Sequence, residues 1–209
     1  MLSLKLCNLK NEEINNLQID NSYYISKDKI NRTIIDEVIK WQLSKKRSGT
    51  HSTKNVSDID RSRRKMYKQK GQGRARHRSK YAVQFRGGAT IFGPDGRVYE
   101  YKLNKKLRKK ALMESFRMKI MENKLLVIDN LNIEKPSTKT ILDVKKNFNS
   151  NSILFVDMEK NINLLKSLSN VYKVDFIPQI GINVLSLVGR DLILISKNAF
   201  DRLIERGVL

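Results

Sequence analysis

The chain has 209 residues, of which 40% are hydrophobic, and a formal net charge of +21. This length suits one domain with an extension, and the hydrophobic content suffices for a core. The single cysteine, Cys7, excludes an intrachain disulfide framework and a cysteine-cluster zinc site. The sequence contains no apolar run of about 18 residues that would span a membrane, and its N-terminus lacks a secretory pattern. We therefore expect a cytosol-like compartment.

The N-terminal part predicts one strand and one helix. Residues 2–7 alternate apolar and polar side chains and predict a strand, whereas the polar residues 8–22 predict a loop. Apolar residues on one face predict a helix over residues 28–44, and Asp28 is its predicted N-cap. The periodic pattern stops before Lys45.

The C-terminal part predicts a sheet covered by helices. An amphipathic pattern predicts a helix over residues 104–122, with Asn104 as its cap. Unbroken apolar runs then predict strands at 125–128, 153–156, 171–177 and 192–195. Helical segments are predicted at 137–148, 161–168, 183–188 and 199–206. Because short apolar strands alternating with helices are typical of parallel sheets, the expected fold is α/β, with a mostly parallel sheet flanked by helices.

Finer features of these helices can also be predicted. Ser137 follows a proline and is the predicted N-cap of the helix over residues 137–148, whose inward side chains are expected to be Ile141, Leu142 and Val144. Gly207 is placed at the C′ position that ends the last helix.

A basic stretch separates the two parts that can fold. Lys45–Lys80 contains 14 Lys or Arg and two acidic residues among 36, with five apolar residues. So little apolar surface does not offset the entropy of ordering the chain. Neither strand nor helix periodicity is sustained up to about residue 99. The sequence therefore predicts a globular domain of residues 1–44 and 101–209, interrupted by a long extended basic loop, 45–100.

The charge of this loop predicts a polyanion as the partner. Lys45–Lys110 holds 22 basic and 4 acidic residues, whereas the other 143 residues hold 20 and 17. Such asymmetry indicates nucleic acid or an anionic membrane surface. No amphipathic helix pattern in the loop supports the membrane, and no helix-turn-helix, zinc finger or zipper indicates DNA. Arginines interleaved with Tyr67, Tyr81 and Phe85 suit phosphates and unpaired bases of RNA.

No group of residues predicts catalysis or metal binding. Both histidines, His51 and His77, lie in the basic loop, where no folded site would orient or shield them. Asp129 and Asp157 end buried strands, where ligands bind in open parallel sheets, but no other ligand pattern accompanies them. Helix capping or solvation explains these two carboxylates, and Cys7 reads as a small apolar strand residue. We expect no catalytic, cofactor-binding or metal-binding residue.

Glycines in the basic loop do not match a nucleotide-binding fingerprint. Gly71 and Gly73 lack the third glycine and the flanking strand and helix that a dinucleotide site requires. They are predicted to form a bend with a close approach of backbone to phosphate. Residues 92–96 are predicted to form a second turn on the return limb.

Six motifs indicate a family by their order and spacing. They are Trp41-Gln42-Leu43, Gly49-Thr50-His51, Tyr67–Arg76 (YKQKGQGRAR), Phe85-Arg86-Gly87-Gly88, Phe92-Gly93-Pro94 and Lys105-Lys106-Leu107-Arg108. Over nearly its whole length, the chain resembles the bacterial type of the universal L4 family of large-subunit ribosomal proteins. The resemblance implies a Rossmann-like α/β domain on the subunit surface, an rRNA-binding loop that helps line the peptide exit tunnel, a role in early assembly, and no enzymatic activity.

The resemblance also implies partners and site residues. The partners would be large-subunit rRNA and neighbouring ribosomal proteins, without a membrane, a small-molecule substrate or a homo-oligomer. The location would be the cytoplasmic ribosome, with an organellar ribosome left open. The tunnel-proximal tip would be Lys68, Gln69, Lys70, Gly71, Gln72, Gly73 and Arg74. The residues expected to bind rRNA are Lys45, Lys46, Arg47, His51, Lys54, Arg61, Arg63, Arg64, Lys65, Tyr67, Lys68, Lys70, Gly71, Gly73, Arg74, Arg76, His77, Arg78, Lys80, Phe85, Arg86, Gly87 and Gly88.

Two positions depart from the family pattern. A glycine-rich piece is replaced by SDIDRS, and carboxylates of Asp58 and Asp60 inside rRNA are costly unless they pair with a cation or a base amine. Arg61, Arg63 and Arg64 are near enough in the sequence to do so. Ala89 replaces the third glycine of an Arg-Gly-Gly-Gly motif, so no positive φ is expected there.

Two other functions are compatible with the composition. One is an RNA-modifying enzyme with a nucleotide cofactor on the sheet and a basic substrate arm, but the glycine-rich strand-to-helix turn that it needs is missing. The other is a DNA-compacting basic protein, which would bind duplex DNA and rRNA equally well.

Overall fold

A computed structural model describes residues 2–19 and 30–207, and the chain divides into two compact units. The first, called the globular unit, comprises residues 1–43 and 102–209. The second, called the arm unit, comprises residues 44–101.

A six-stranded sheet forms the centre of the globular unit. Its strands are β1 (Leu2–Cys7), β2 (Glu13–Ile19), β3 (Leu125–Ile128), β4 (Ile153–Asp157), β5 (Val174–Pro178) and β6 (Leu192–Ser196). They lie in the order β2-β1-β3-β6-β4-β5. β1 and β2 are antiparallel and the other neighbouring pairs are parallel. The predicted α/β fold with a mostly parallel sheet is therefore confirmed.

Helices connect these strands and begin at side-chain caps. They are α1 (Arg32–Lys46), α2 (Lys105–Met121), α3 (Thr138–Asn147), α4 (Ile162–Leu168), α5 (Val184–Gly189) and α6 (Lys197–Glu205). The predicted caps Asn104 and Ser137 each accept a hydrogen bond from a first-turn backbone N–H, which satisfies a donor that a helix start otherwise leaves unpaired. Gly207 follows α6 with φ 59°, as a C′ glycine does.

The sheet buries both of its faces. Along β4, Leu154 and Val156 belong to one cluster, which includes Phe116 of α2 and Phe200 of α6. Ile153 and Phe155 belong to the opposite cluster, which includes side chains from α3 and α4. Because successive side chains of a strand point to opposite faces, a strand covered on both sides is apolar throughout. This explains the unbroken apolar runs in the sequence.

Several expectations for these elements need correction. The loop predicted for residues 8–22 is wrong over Glu13–Ile19, which is β2, an edge strand whose partner is β1. Leu142 does not point inward, since it is 46% exposed. The strand predicted over 171–177 begins only at Val174. A short 3₁₀ turn at Gln179–Gly181 was not expected.

The start of the first helix needs a separate comment. The predicted cap Asp28 lies outside the described residues. In the described part, Asn31 Oδ1 accepts a hydrogen bond of 3.3 Å from Ile34 N. The helix ends at Lys46, so Lys45 and Lys46 form its last turn rather than the start of an irregular loop.

A buried lysine anchors α2 to the sheet. Lys119 is 4% exposed, and its Nζ donates hydrogen bonds to the carbonyl oxygens of Arg190 (2.6 Å) and Asp191 (3.4 Å). Burial lowers the pKa of this ammonium group because desolvation disfavours the charged form. The two carbonyl contacts fix the helix that follows the arm unit in sequence.

Candidate nucleic-acid interface

The arm unit consists of two limbs, neither of which contains a strand. The outgoing limb precedes the bend at Gly71 and Gly73, and the returning limb follows it. Arg97 N donates to Gly49 O (3.2 Å) near one end, and Met66 N donates to Arg78 O (2.9 Å) farther along. These widely separated backbone hydrogen bonds connect the limbs in place of the regular hydrogen-bond ladder of a β-sheet. They explain why neither strand nor helix periodicity is visible in this part of the sequence.

An aromatic ring in contact with two guanidinium groups joins the ends of the limbs. The Cζ atoms of Arg47 and Arg97 lie 3.9 Å and 4.5 Å from the centroid of the Tyr99 ring, which attracts cations over its faces. The Tyr99 hydroxyl lies 3.0 Å from His51 Nε2. Arg47 and His51 were predicted site residues, whereas Arg97 and Tyr99 were missed because no sequence pattern links positions almost 50 residues apart.

Gly49 allows the limbs to approach at this point. Its φ is +65°, and an added Cβ would overlap the Arg97 carbonyl oxygen. We expect Gly49→Ala to combine a cost of about 1 kcal/mol for the left-handed backbone with a displacement of the returning limb. Hydrogen exchange at the Arg97 amide should then become faster.

Gly71→Ala is the matched control for this prediction. Gly71 has φ +85°, but nothing lies within 4 Å of an added Cβ. Its replacement carries the backbone cost alone, so exchange at Arg97 should remain as in the unsubstituted chain. Equal acceleration in both variants would contradict the close approach at Gly49.

A second cluster holds the middle of the arm unit. The His77 ring meets the Phe85 ring edge to face at 5.0 Å and the Tyr67 ring at 6.4 Å. Gln84 Nε2 lies 2.8 Å from His77 Nδ1, and the Tyr67 hydroxyl donates to Ala75 O. These predicted site residues are thus half-buried supports of the arm, in which His77 is structural.

The side chain of Arg61 also supports the arm unit, because it binds backbone carbonyl oxygens of the returning limb. Its Nη1 donates to Lys80 O (3.4 Å) and Arg86 O (3.3 Å). None of the ion pairs among the described residues involves Asp58 or Asp60, so the expected pairing with Arg61, Arg63 or Arg64 is not formed there. Asp58 instead accepts hydrogen bonds from Asn55 N and Ser57 Oγ.

The predicted tip carries exposed cations around a bend. Gly71 and Gly73 have φ of 85° and 59°, which confirms the expected bend, and the side chains of Lys68, Lys70 and Arg74 are exposed. No atom lies within 4 Å of a Cβ added at Gly71 or Gly73, so a ligand has space to approach the backbone of the tip there.

Cations also line a cleft at the base of this bend. Arg63, Arg76 and Arg78 border it together with Lys65 and His77. Within residues 44–101, which the structure describes completely, one ion pair is present, between Lys45 and Glu100 at 3.1 Å. The guanidinium groups of the cleft are exposed and face no carboxylate there, an arrangement that favours phosphate.

The sheet shows no comparable site. Asp157 Oδ1 accepts hydrogen bonds of 2.7 Å from Ser196 Oγ and Met158 N, and Asp129 is exposed. Among the described residues, no three metal-ligating side chains come together. Burial raises the pKa of the Cys7 thiol, which agrees with its reading as a small core residue. No helix in the described part of the chain is long and apolar enough to cross a membrane.

Comparison with known proteins identifies the family. A sequence model of the ribosomal protein L4/L1 family matches residues 21–206. The chain belongs to the ribosomal protein L4/L1 family. It is similar to "Large ribosomal subunit protein uL4" of Rickettsia bellii, with 37% identity over 206 residues that cover 98% of this chain and 99% of the relative.

Relatives from other genera agree with this membership. The uL4 protein of Wolbachia sp. subsp. Drosophila simulans is 36% identical over 202 residues, which cover 97% of this chain and 98% of the relative. That of Ehrlichia canis is 42% identical over 173 residues, which cover 83% and 84%. The resemblance to the L4 family is therefore confirmed, and the family match includes the entire arm unit.

The motifs on which the resemblance rests coincide with contacts that shape the arm unit. Gly49-Thr50-His51 lies at the Tyr99 cluster, and Phe85 lies at the His77 cluster. Ala89, for which no positive φ was expected, is not among the described residues with positive φ.

Proposed function

We propose that the chain is a structural component of the large ribosomal subunit and that its arm unit binds the rRNA of that subunit. The charge of the arm unit carries this proposal. Its 58 residues hold 16 Lys or Arg and four acidic residues, and its arginine-lined cleft contains no carboxylate. When these cations neutralise phosphates, they release counterions condensed on the RNA, and this release supplies binding energy that depends on salt.

The tip residues Lys68–Arg74 are proposed to reach buried rRNA and to help line the peptide exit tunnel. Support comes from their exposure and from the bend at Gly71 and Gly73. An arm held by few backbone hydrogen bonds is most easily enclosed while the RNA is still open. We therefore also propose that the protein joins the subunit early in assembly.

Other parts of the function follow from this proposal. The partners are large-subunit rRNA and neighbouring ribosomal proteins, and the protein is located on the ribosome. It acts without catalysis, without a cofactor and without forming a homo-oligomer.

Titration of the full chain separates this function from its rivals. We expect much tighter binding to a large-subunit rRNA transcript than to duplex DNA of equal charge, with affinity that falls steeply with salt. Equal affinity for both would favour a DNA-compacting protein. Thermal stabilisation by nucleotides or methyl donors would favour an RNA-modifying enzyme, because a ligand that binds the folded state raises its melting temperature.

A further inference from the structure

We infer that a groove beside Phe92 in the arm unit holds an unpaired nucleotide of RNA, with Phe92 stacking on the base and Arg63 and Arg78 binding the adjacent phosphates. This inference rests on the proposed function, since it specifies how RNA is held. It adds Phe92, which lies outside the residues assigned from the sequence, and a groove in which Phe92 stands together with the assigned residues Arg63 and Arg78.

Phe92 has an unusual conformation and exposure. Its side chain is fully exposed, at 101%, and its φ is 56°. A bulky residue in the left-handed region is rare and costs about 1–2 kcal/mol. Such a conformation persists where the surroundings impose it, and it is enriched at binding sites. The whole phenyl ring is therefore accessible to a ligand.

Hydrogen bonds on either side impose this conformation. Thr53 N donates to Pro94 O (2.9 Å), and Thr90 N donates to Lys54 O (3.1 Å). From one bond to the other, the outgoing limb advances by one residue, from Thr53 to Lys54. The returning limb covers four, from Thr90 to Pro94. Residues 91–93 must therefore arch away from the opposite limb.

A close approach fixes the end of the arch. A Cβ added at Gly93 would overlap Thr53 Oγ1, and Thr53 Oγ1 itself lies 3.2 Å from Pro94 O. Phe92 therefore cannot withdraw into the arm unit unless these contacts break. The phenyl ring is presented in advance of binding, which lowers the entropy that its partner must overcome.

The groove beside Phe92 offers the other groups that a nucleotide needs. Its lining includes two arginines, Arg63 and Arg78, together with Tyr81 and the polar residues Asn55 and Ser57. No carboxylate lines it. Guanidinium groups bind phosphate oxygens through paired N–H donors, and amide and hydroxyl groups can pair with the edges of a base.

One carboxylate lies next to this lining in the sequence. Asp58 Oδ2 accepts a hydrogen bond of 3.0 Å from Asn55 N, and its Oδ1 lies 3.4 Å from Ser57 Oγ. Both oxygens are thus engaged within the 55–58 turn, which supports the wall of the groove.

An unpaired nucleotide fits this combination better than an apolar peptide. An aromatic face binds any base by stacking, which contributes about 1–3 kcal/mol per base. An apolar peptide would cover Phe92 but would desolvate Arg63 and Arg78 without offering them an acceptor, which is costly. Paired RNA does not fit either, because its bases are stacked on one another and unavailable.

Substitutions at Phe92 in the full-length chain test the inference. We expect Phe92→Ala to weaken binding to a large-subunit rRNA transcript about 5- to 100-fold. The slope of log affinity against log salt should stay unchanged, because no phosphate contact is lost. Phe92→Tyr keeps the aromatic face and should bind within about twofold of the unsubstituted chain.

Tyr172→Ala is the control for loss of an exposed aromatic ring, since Tyr172 is 77% exposed in the globular unit. It should leave rRNA binding unchanged. A second readout uses Phe92→Trp, compared with the unsubstituted chain, whose single tryptophan is Trp41. Stacking on a base should quench the added emission when rRNA binds.

Two results would overturn the inference while leaving the proposed function intact. One is that Phe92→Ala binds rRNA as tightly as the unsubstituted chain. The other is that the emission of Phe92→Trp is not quenched under conditions in which the chain binds rRNA. If the unsubstituted chain itself does not bind rRNA in a salt-dependent manner, the proposed function fails and the inference fails with it.

Discussion

Replacement of Arg63, Arg76 and Arg78 with glutamine in one chain is expected to weaken binding to large-subunit rRNA by about 100-fold or more. These three side chains are exposed and line one cleft of the arm unit. Because each bound phosphate contributes about 0.7–0.9 to the salt slope, the slope should fall by roughly two to three. Filter binding at four or more salt concentrations measures both quantities.

A matched triple substitution separates position from net charge. Lys139, Lys160 and Lys166 are exposed residues of the globular unit, and their replacement with glutamine removes the same three charges. This control should lose much less affinity and keep most of its salt slope. Equal losses in both triple variants would show that rRNA binding follows net charge alone and would contradict a role for the arginine cleft.

Phe155→Ala should have the largest effect on stability. Phe155 lies in β4, an inner strand, and is 0% exposed. Loss of a fully buried phenyl ring removes its transfer free energy and leaves a cavity, so the free energy of unfolding should fall by about 3–5 kcal/mol. Urea unfolding monitored by circular dichroism measures this change.

The neighbouring strand provides the control. Phe176 is the register partner of Phe155, but it lies in the edge strand β5 and is half-buried. Phe176→Ala should therefore lower the free energy of unfolding by less than half as much. A similar loss in both variants would contradict the placement of β5 at the edge of the sheet.

The inner strands could be predicted because burial on both faces requires a continuous run of apolar residues, which is visible in the sequence. Strands covered on both faces, such as β4 and β6, are apolar at nearly every position. Helix starts were equally visible, since Asn104 and Ser137 cap α2 and α3 through local hydrogen bonds. Both signals depend on a few consecutive residues.

The edge strand β2 was missed because its sequence contains no continuous apolar run. Its sequence, EINNLQI, includes two asparagines, and Ile14 is 51% exposed. Leu17 packs against the core only partly. Pairing with β1, which is a non-local contact, makes this segment a strand despite its weak intrinsic preference.

The candidate site was predicted in its composition but not in its arrangement. Charge located the arm, and the glycines located its bend. The contacts that shape it join distant positions, such as Arg47 with Tyr99 or Thr53 with Pro94. No periodicity reports such pairs. From the sequence, Phe92 was predicted only as part of a turn. Its exposure depends on hydrogen bonds with the opposite limb, which the sequence pattern does not show.

Crosslinking inside purified large subunits tests the central claim most directly. A photo-reactive benzophenone amino acid at Gln72, which is exposed in the tip, is introduced into the full chain, and subunits that contain it are isolated. The same group at Lys166 in the globular unit serves as the control. We expect Gln72 to crosslink to large-subunit rRNA with higher yield than Lys166. Co-sedimentation of the chain without any rRNA crosslink from Gln72 would contradict an arm that is embedded in the RNA.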